Sequence, residues 1–161
     1  IVVFGKGYRG GTTYSFITIG VADPKDIVDV TARDLTGDGK AEVIVRGVLH
    51  AKASKELGGD TVDRYALFVY QVQDAGIRRV FAAETGRALK DNRVLGSIAF
   101  LPDKNGTRIE LRPGRAVGWN EKSYPFPPDS TAAGGLEPLL LPWASPSPRK
   151  YKFDGGMYAQ E

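Results

Sequence analysis

The apolar residues of this chain come in short β-branched and aromatic runs, cut at close intervals by glycine and aspartate. Runs of that kind form strands, and the breakers between them form turns. The 20 glycines and 10 prolines among 161 residues leave room for many tight turns and few long helices. The expected fold class is therefore all-β, or β-dominated with one short helix. Antiparallel hairpins would form a sandwich or a barrel-like sheet. At this length one domain can bury a core without disulfide staples, and the chain has no cysteine to make them.

Walking the chain, Val2 to Gly5 predicts a first strand, followed by a glycine-rich turn through Gly5, Gly7, Gly10 and Gly11. Thr12 to Gly20 predicts a second. Ile27 to Ala32 and Ala41 to Ala51 predict two strands flanking an acidic loop, and Lys52 to Asp60 predicts a loop. Arg64 to Gln73 and Ile77 to Thr85, separated by Asp74-Ala75-Gly76, form the clearest hairpin. Glu84 to Asp91 is expected to make one or two helical turns. Val94 to Leu101 and Thr107 to Leu111 predict another hairpin, through Pro102-Asp103-Lys104-Asn105-Gly106. Alternation on its second strand places Arg108, Glu110 and Arg112 on a wet face opposite Ile109 and Leu111.

Composition then divides the chain into a β-rich body (1–123), a Pro-rich docking arm (124–148) and a closing hairpin of the same domain (149–161). Seven of the ten prolines fall between Tyr124 and Pro148. A free linker is a poor description of the arm's middle, because Leu139, Leu140, Leu141 and Trp143 would stand in water. Burying one leucine fully is worth about 1.5–3 kcal/mol. The arm is expected to dock by that cluster. Lys150 to Phe153, Asp154-Gly155-Gly156 and Met157 to Ala159 predict the closing hairpin. No internal repeat occurs, so a self-contained propeller or solenoid is not expected. The chain opens at Ile1 without an initiator methionine, as a fragment or a processed product would.

Twenty-two basic against 19 acidic residues give a net charge of +3. No concentrated basic face of a nucleic-acid binder is implied. The stretch from Arg87 to Lys122 is locally basic, with eight Lys/Arg and four Asp/Glu, and is expected to be a solvated surface. No apolar run approaches the roughly 20 residues of a membrane-spanning helix.

One segment carries potential site chemistry. Asp34-Leu35-Thr36-Gly37-Asp38-Gly39-Lys40-Ala41-Glu42 places side-chain oxygens at Asp34, Thr36, Asp38 and Glu42. Calcium takes six to eight oxygens, and a tight acidic loop can wrap it, with the Lys40 carbonyl as a backbone ligand. The same residues also make a plain turn, since Asp and Gly are favoured in turns without any metal. Both readings are open at this point. Residues 30–45, from Val30 to Val45, resemble the FG-GAP/VCBS repeat of integrin-type propellers and bacterial surface proteins: strand, Asp-rich loop, strand. The resemblance implies calcium on Asp34, Thr36, Asp38, the Lys40 carbonyl and Glu42. It also implies an extracytoplasmic location: periplasmic, surface or secreted. This copy has Thr36 where Asp or Asn is usual, and Glu42 where Asp is common. The closing Tyr151 to Tyr158 segment looks like an aromatic–Asp-Gly–aromatic hairpin of bacterial envelope domains.

Catalytic signals are sparse. His50 is the only histidine, at the end of a predicted strand. No nucleophile elbow or P-loop occurs. Gly5-Lys6-Gly7-Tyr8-Arg9-Gly10-Gly11 lacks the helix N-terminus of a phosphate cradle. Asp60, Asp63 and Glu84 are the carboxylates that a glycan-processing site could pair. Tyr65, Tyr70, Trp119, Tyr124 and Trp143 could line a sugar groove, or fill a β core. The expected function is a non-catalytic structural or interaction module of an envelope or secreted protein, with a protein or glycan partner. The alternatives are a carbohydrate-binding or glycan-processing accessory domain, and a subunit that docks into a larger assembly through its Pro-rich arm.

Overall fold

In a computed structural model of the chain, residues 1–127, 135–144 and 146–161 are described. Among them, ten strands follow in chain order: β1 (Val2–Phe4), β2 (Tyr14–Phe16), β3 (Ile27–Arg33), β4 (Glu42–Lys52), β5 (Thr61–Gln73), β6 (Gly76–Leu89), β7 (Asn92–Asp103), β8 (Gly106–Val117), β9 (Arg149–Phe153) and β10 (Tyr158–Gln160). β1 and β2 pair with each other. The other eight form an antiparallel meander in which sequence neighbours are sheet neighbours, from β3 at one edge to β10 at the other. The fold is all-β, with three single turns of 3₁₀ helix.

The meander does not stay flat. β6 and β7 pair only over Gly86–Leu89 and Asn92–Leu95, and the rest of each long strand diverges. The sheet folds over at that point. Leu35, Ile44, Leu67, Val69 and Phe81 from the first half then share one core with Ile109, Leu111, Tyr151 and Tyr158 from the second. Phe81 sits edge-on to Tyr151, with ring centroids 5.0 Å apart, and edge-on to Tyr158 at 5.9 Å. The outer face of β4–β6, with Val45, Ala66, Phe68, Tyr70 and Ala82, is covered by Ile1, Ile17, Ile19 and Leu136. Coverage on both faces explains why Ala66 to Gln71 of β5 are all buried.

The arm fills the gap left where β6 parts from β7. Glu137 makes a parallel bridge to Ala83, accepting from the Glu84 N–H at 2.8 Å and donating to the Ala82 carbonyl at 2.8 Å. The Gly114 N–H donates to the Leu140 carbonyl, and Leu139 and Leu140 are buried. The described part of the arm thus packs on its own domain, which takes away the main support for an arm that docks on another subunit. Residues 128–134 and 145 of the arm lie outside the described residues. A third cluster stacks Trp119, Tyr124, Phe126 and Trp143 edge to face beside Val62, Leu89 and Val94.

Three local expectations are corrected. Thr12 to Gly20 is a strand only over Tyr14–Phe16. Glu110 is buried, because it accepts from Arg112 Nε at 2.7 Å and does not face open water. Glu84 to Asp91 is not helical: β6 runs through to Leu89, held between β5 and β7. A bulge lies within this stretch. Ala66 pairs with Glu84 and Tyr65 with Gly86, so Thr85 is an extra residue. In a regular strand, residues three apart face opposite ways, and one inserted residue brings them to the same face. Glu84 and Arg87 therefore form a buried ion pair, with Arg87 Nε 2.7 Å from Glu84 Oε1. Arg64 Nε donates to the other oxygen at 2.9 Å, and the Arg87 guanidinium lies 4.9 Å from the centre of the Phe126 ring.

Removing one partner of a buried pair leaves an uncompensated charge. Glu84→Gln, which removes the carboxylate shared by Arg64 and Arg87, is expected to lower unfolding free energy by about 3–5 kcal/mol in urea denaturation. A loss below about 1 kcal/mol, the range of exposed pairs, would show that the pair is not buried as described.

Candidate functional site

The acidic loop between β3 and β4 was the one segment with site chemistry, and its carboxylates turn toward the backbone. Asp34 Oδ1 accepts from the Gly37 N–H at 2.7 Å, and Oδ2 accepts from the Gly39 N–H at 2.9 Å. Asp38 Oδ1 accepts from the Lys40 N–H at 2.9 Å. Gly37 and Gly39 both have positive φ, 79° and 81°, which the tight loop needs and glycine adopts without strain. Glu42 lies beneath the loop, fully buried. It accepts from the Leu35 N–H at 2.8 Å, the Thr36 N–H at 3.3 Å, the Thr36 hydroxyl at 3.3 Å and the Gln71 amide at 3.5 Å.

Leu35 is the other half of this arrangement. Its side chain is in the core. Its carbonyl accepts from the Thr107 N–H at 2.7 Å and from the Tyr158 hydroxyl at 3.2 Å. The loop thereby reaches from the first half of the folded sheet to the β7–β8 turn and to β10. The approach is close: a Cβ on Gly106 would stand 2.7 Å from the Leu35 oxygen and 2.8 Å from that of Thr36. Burial, followed by the Glu42 and Asp34 charges, pushes the Tyr158 phenol well above its ordinary value. Gln71 carries the network outward: Arg78 Nη2 donates to its side-chain oxygen at 2.8 Å and to the Gly155 carbonyl at 3.4 Å.

The calcium set implied by the resemblance is accordingly divided. Asp34, Thr36, Asp38 and Lys40 share the loop, while Glu42 is below it and hydrogen-bonded on both oxygens. Among the described residues, no group of three or more His, Cys, Asp or Glu gathers as a metal site would. As arranged, the Asp34, Asp38 and Glu42 carboxylates accept hydrogen bonds from the loop itself. They fit a turn closed on its own backbone and bolted to the opposite sheet. Leu35 was missed as part of this arrangement, and the signal in the sequence was an apolar side chain in the middle of an Asp-Gly loop.

His50 is held between two carboxylates. Nδ1 lies 2.8 Å from Asp63 Oδ1, its cross-strand partner on β5, and Nε2 lies 3.1 Å from Asp26 Oδ2, in the 3₁₀ turn before β3. Both ring nitrogens are thus engaged by acids, which is the arrangement of a clasp and not of a base poised beside a nucleophile. The sugar-groove candidates do not form a platform either. Trp119 is buried, Tyr124 and Trp143 are half-buried against one another, and Tyr65 and Tyr70 lie on β5, where Tyr70 is in the core. Asp60 pairs with Lys90, Asp63 with His50 and Glu84 with two arginines, so the three carboxylates have separate partners.

The most exposed apolar surface was not anticipated. The outer face of the β1–β2 hairpin presents Val2, Phe4, Tyr14 and Phe16 at 58%, 76%, 65% and 68% exposure. Val2 stands opposite Phe16, and Phe4 opposite Tyr14. The hairpin's other side is seated by Ile1 and Ile17 on the β4–β6 face. Tyr8 fixes its turn by donating to Ser15 Oγ at 2.7 Å.

No protein-family model, no curated protein and no solved structure matches the chain. Among the described residues, no helix is long and apolar enough to cross a membrane.

The clasp titrates in a defined direction. Hydrogen bonds to Asp26 and then Asp63 raise the His50 pKa above the ordinary 6.5, against a smaller opposing effect of burial. A group whose folded pKa is raised gives stability that is complete below the unfolded pKa and fades as pH rises through the folded one. The single histidine signal in an NMR titration is expected to have its midpoint above 6.5. The melting-temperature advantage of wild type over His50→Gln should be complete below the ordinary histidine pKa of 6.5 and shrink as pH rises above it. A midpoint at or below the ordinary value would contradict the clasp.

Proposed function

We propose that this chain is a non-catalytic interaction module whose binding surface is the outer face of the β1–β2 hairpin. The exposure of Val2, Phe4, Tyr14 and Phe16 on one two-stranded face carries the reading. Contiguous apolar surface of this kind marks interaction sites on folded proteins. Leaving these four side chains about two-thirds exposed forgoes on the order of 4–8 kcal/mol of transfer free energy. The scaffold beneath is built for rigidity: a core spanning the folded sheet, an arm that seals its gap, and polar groups tied to one another. A protein partner suits the hairpin better than a glycan, because aliphatic Val2 stands among the aromatics and the two tryptophans pack elsewhere. Placement in an envelope or secreted protein rests on the FG-GAP/VCBS resemblance of residues 30–45.

A photo-crosslinking amino acid at Phe16 tests this in cells that express the protein. The expected product is a discrete adduct of one mass, absent when the probe is placed at exposed Val117 and lost on Phe4→Ser. Adducts alike at Phe16 and Val117, or none at Phe16, would count against the hairpin as the binding face.

A further inference from the structure

We propose that β3 is the self-pairing edge of a twofold dimer, joining the sheets of two copies of this chain. Among the described residues β3 has one hydrogen-bonded neighbour, β4, and it ends the eight-stranded order. Val28 to Arg33 are all exposed, with Val28 at 64% and Val30 at 55%. A long strand with an open row of backbone donors and acceptors is a template for pairing, and folded proteins usually blunt such edges with lysine or proline. Residues 27–33, Ile-Val-Asp-Val-Thr-Ala-Arg, contain neither. The opposite edge, β10, is only three residues long.

The sequence of β3 selects both the partner and the register. Asp29, Thr31 and Arg33 alternate onto one face, and Val30 and Ala32 onto the other. A twofold axis perpendicular to the sheet, passing beside Thr31, places Asp29 opposite the second copy's Arg33, and Arg33 opposite its Asp29. Thr31 then meets Thr31, and Val30 meets Ala32. Opposite charges, Thr–Thr pairs and apolar pairs are the directly opposed combinations that stabilise antiparallel strands. The axis is compatible with either kind of antiparallel pair, hydrogen-bonded or not, so the backbone ladder closes either way. Shifting the axis to Val30 leaves Arg33 opposite Ile27. Shifting it to Ala32 leaves Asp29 opposite Leu35. Neither keeps a charge pair.

Charges around the edge agree with this register. Among the described residues, Asp29 and Arg33 form no ion pair or side-chain hydrogen bond within the chain. Arg46 on β4 stands across from Asp29 and adds a second cation near that carboxylate. The register shift between Ile27 and Asp29 bends the strand only at its start and leaves 29–33 regular. This is strand addition, in which main-chain bonds supply affinity and side-chain pairs supply specificity. It uses a different surface from the hairpin face.

Sedimentation equilibrium of the whole chain tests the proposal, from roughly 10 µM to roughly 500 µM, the range that an interface of small area requires. Wild type is expected to shift from monomer to dimer across that range. Asp29→Arg and Arg33→Asp, each alone, put like charges opposite at two symmetric places and should each weaken the dimer by about tenfold or more. Both positions are exposed, so unchanged thermal melts will show that the variants are folded. The double variant Asp29→Arg/Arg33→Asp should recover the wild-type dimer. A mixture of the two single variants should pair with each other, because their edges are complementary. A wild type that stays monomeric throughout overturns the proposal. So does a dimer indifferent to the single changes, or a mixture that fails to associate.

Discussion

Glu42 holds the two halves of this protein in register. It is a fully buried carboxylate that forms no ion pair among the described residues, satisfied by the N–H groups of Leu35 and Thr36, the Thr36 hydroxyl and the Gln71 amide. Those bonds fix the backbone at Leu35, and the Leu35 carbonyl in turn takes the Thr107 N–H and the Tyr158 hydroxyl. A chain of four groups thus runs from β4 through the acidic loop to β8 and β10. It works alongside the arm and the Arg78–Gly155 bond in a meander that pairs across its middle for only four residues a side.

The same economy appears where the sheet turns over. The bulge at Thr85 places Glu84 and Arg87 on one face, where they meet Arg64 in a buried cluster. Beyond that point β6 has no β7 to pair with, and Glu137 of the arm takes its place on the ladder. Tyr151 then ties the arm down from the other side, donating to Glu137 at 2.8 Å. Burial and the neighbouring Glu137 carboxylate push this phenol far above its ordinary range, so it remains a donor.

Much of the architecture was legible because turn chemistry is local. Asp74-Ala75-Gly76, Asn105-Gly106 and Asp154-Gly155-Gly156 each turn the chain where their residues say they should. The docking of the arm was readable from the cost of exposing Leu139 and Leu140. What was not legible depends on partners distant in sequence. Glu84 to Asp91 has helix-compatible residues, and only the strands on either side impose extension. Glu110 alternates with Ile109 and Leu111 as a wet residue should, yet Arg112 and the fold over it bury it. The acidic loop shows the limit most plainly. Its composition suits a calcium cage and a hydrogen-bonded turn equally, and what separates them is where Leu35 and Glu42 point. The hairpin face of Val2, Phe4, Tyr14 and Phe16 was equally hidden, since alternation in a short strand does not tell which side the body covers.

The two-layered body turns one apolar hairpin outward and has β3 as its longer sheet edge, and the proposed interaction role rests on these features. Its stability has to come from within, and Glu42 is where that requirement concentrates. Equilibrium unfolding of wild type and Glu42→Gln, first in EDTA and then in excess calcium, tests this most directly. The substitution removes a charged acceptor and sets an amide donor against backbone N–H groups. A loss of about 3 kcal/mol, equal in the two solutions, is the expected result. A Glu42→Gln protein as stable as wild type in EDTA, and weaker only with calcium present, would contradict it and would make the loop an ion site.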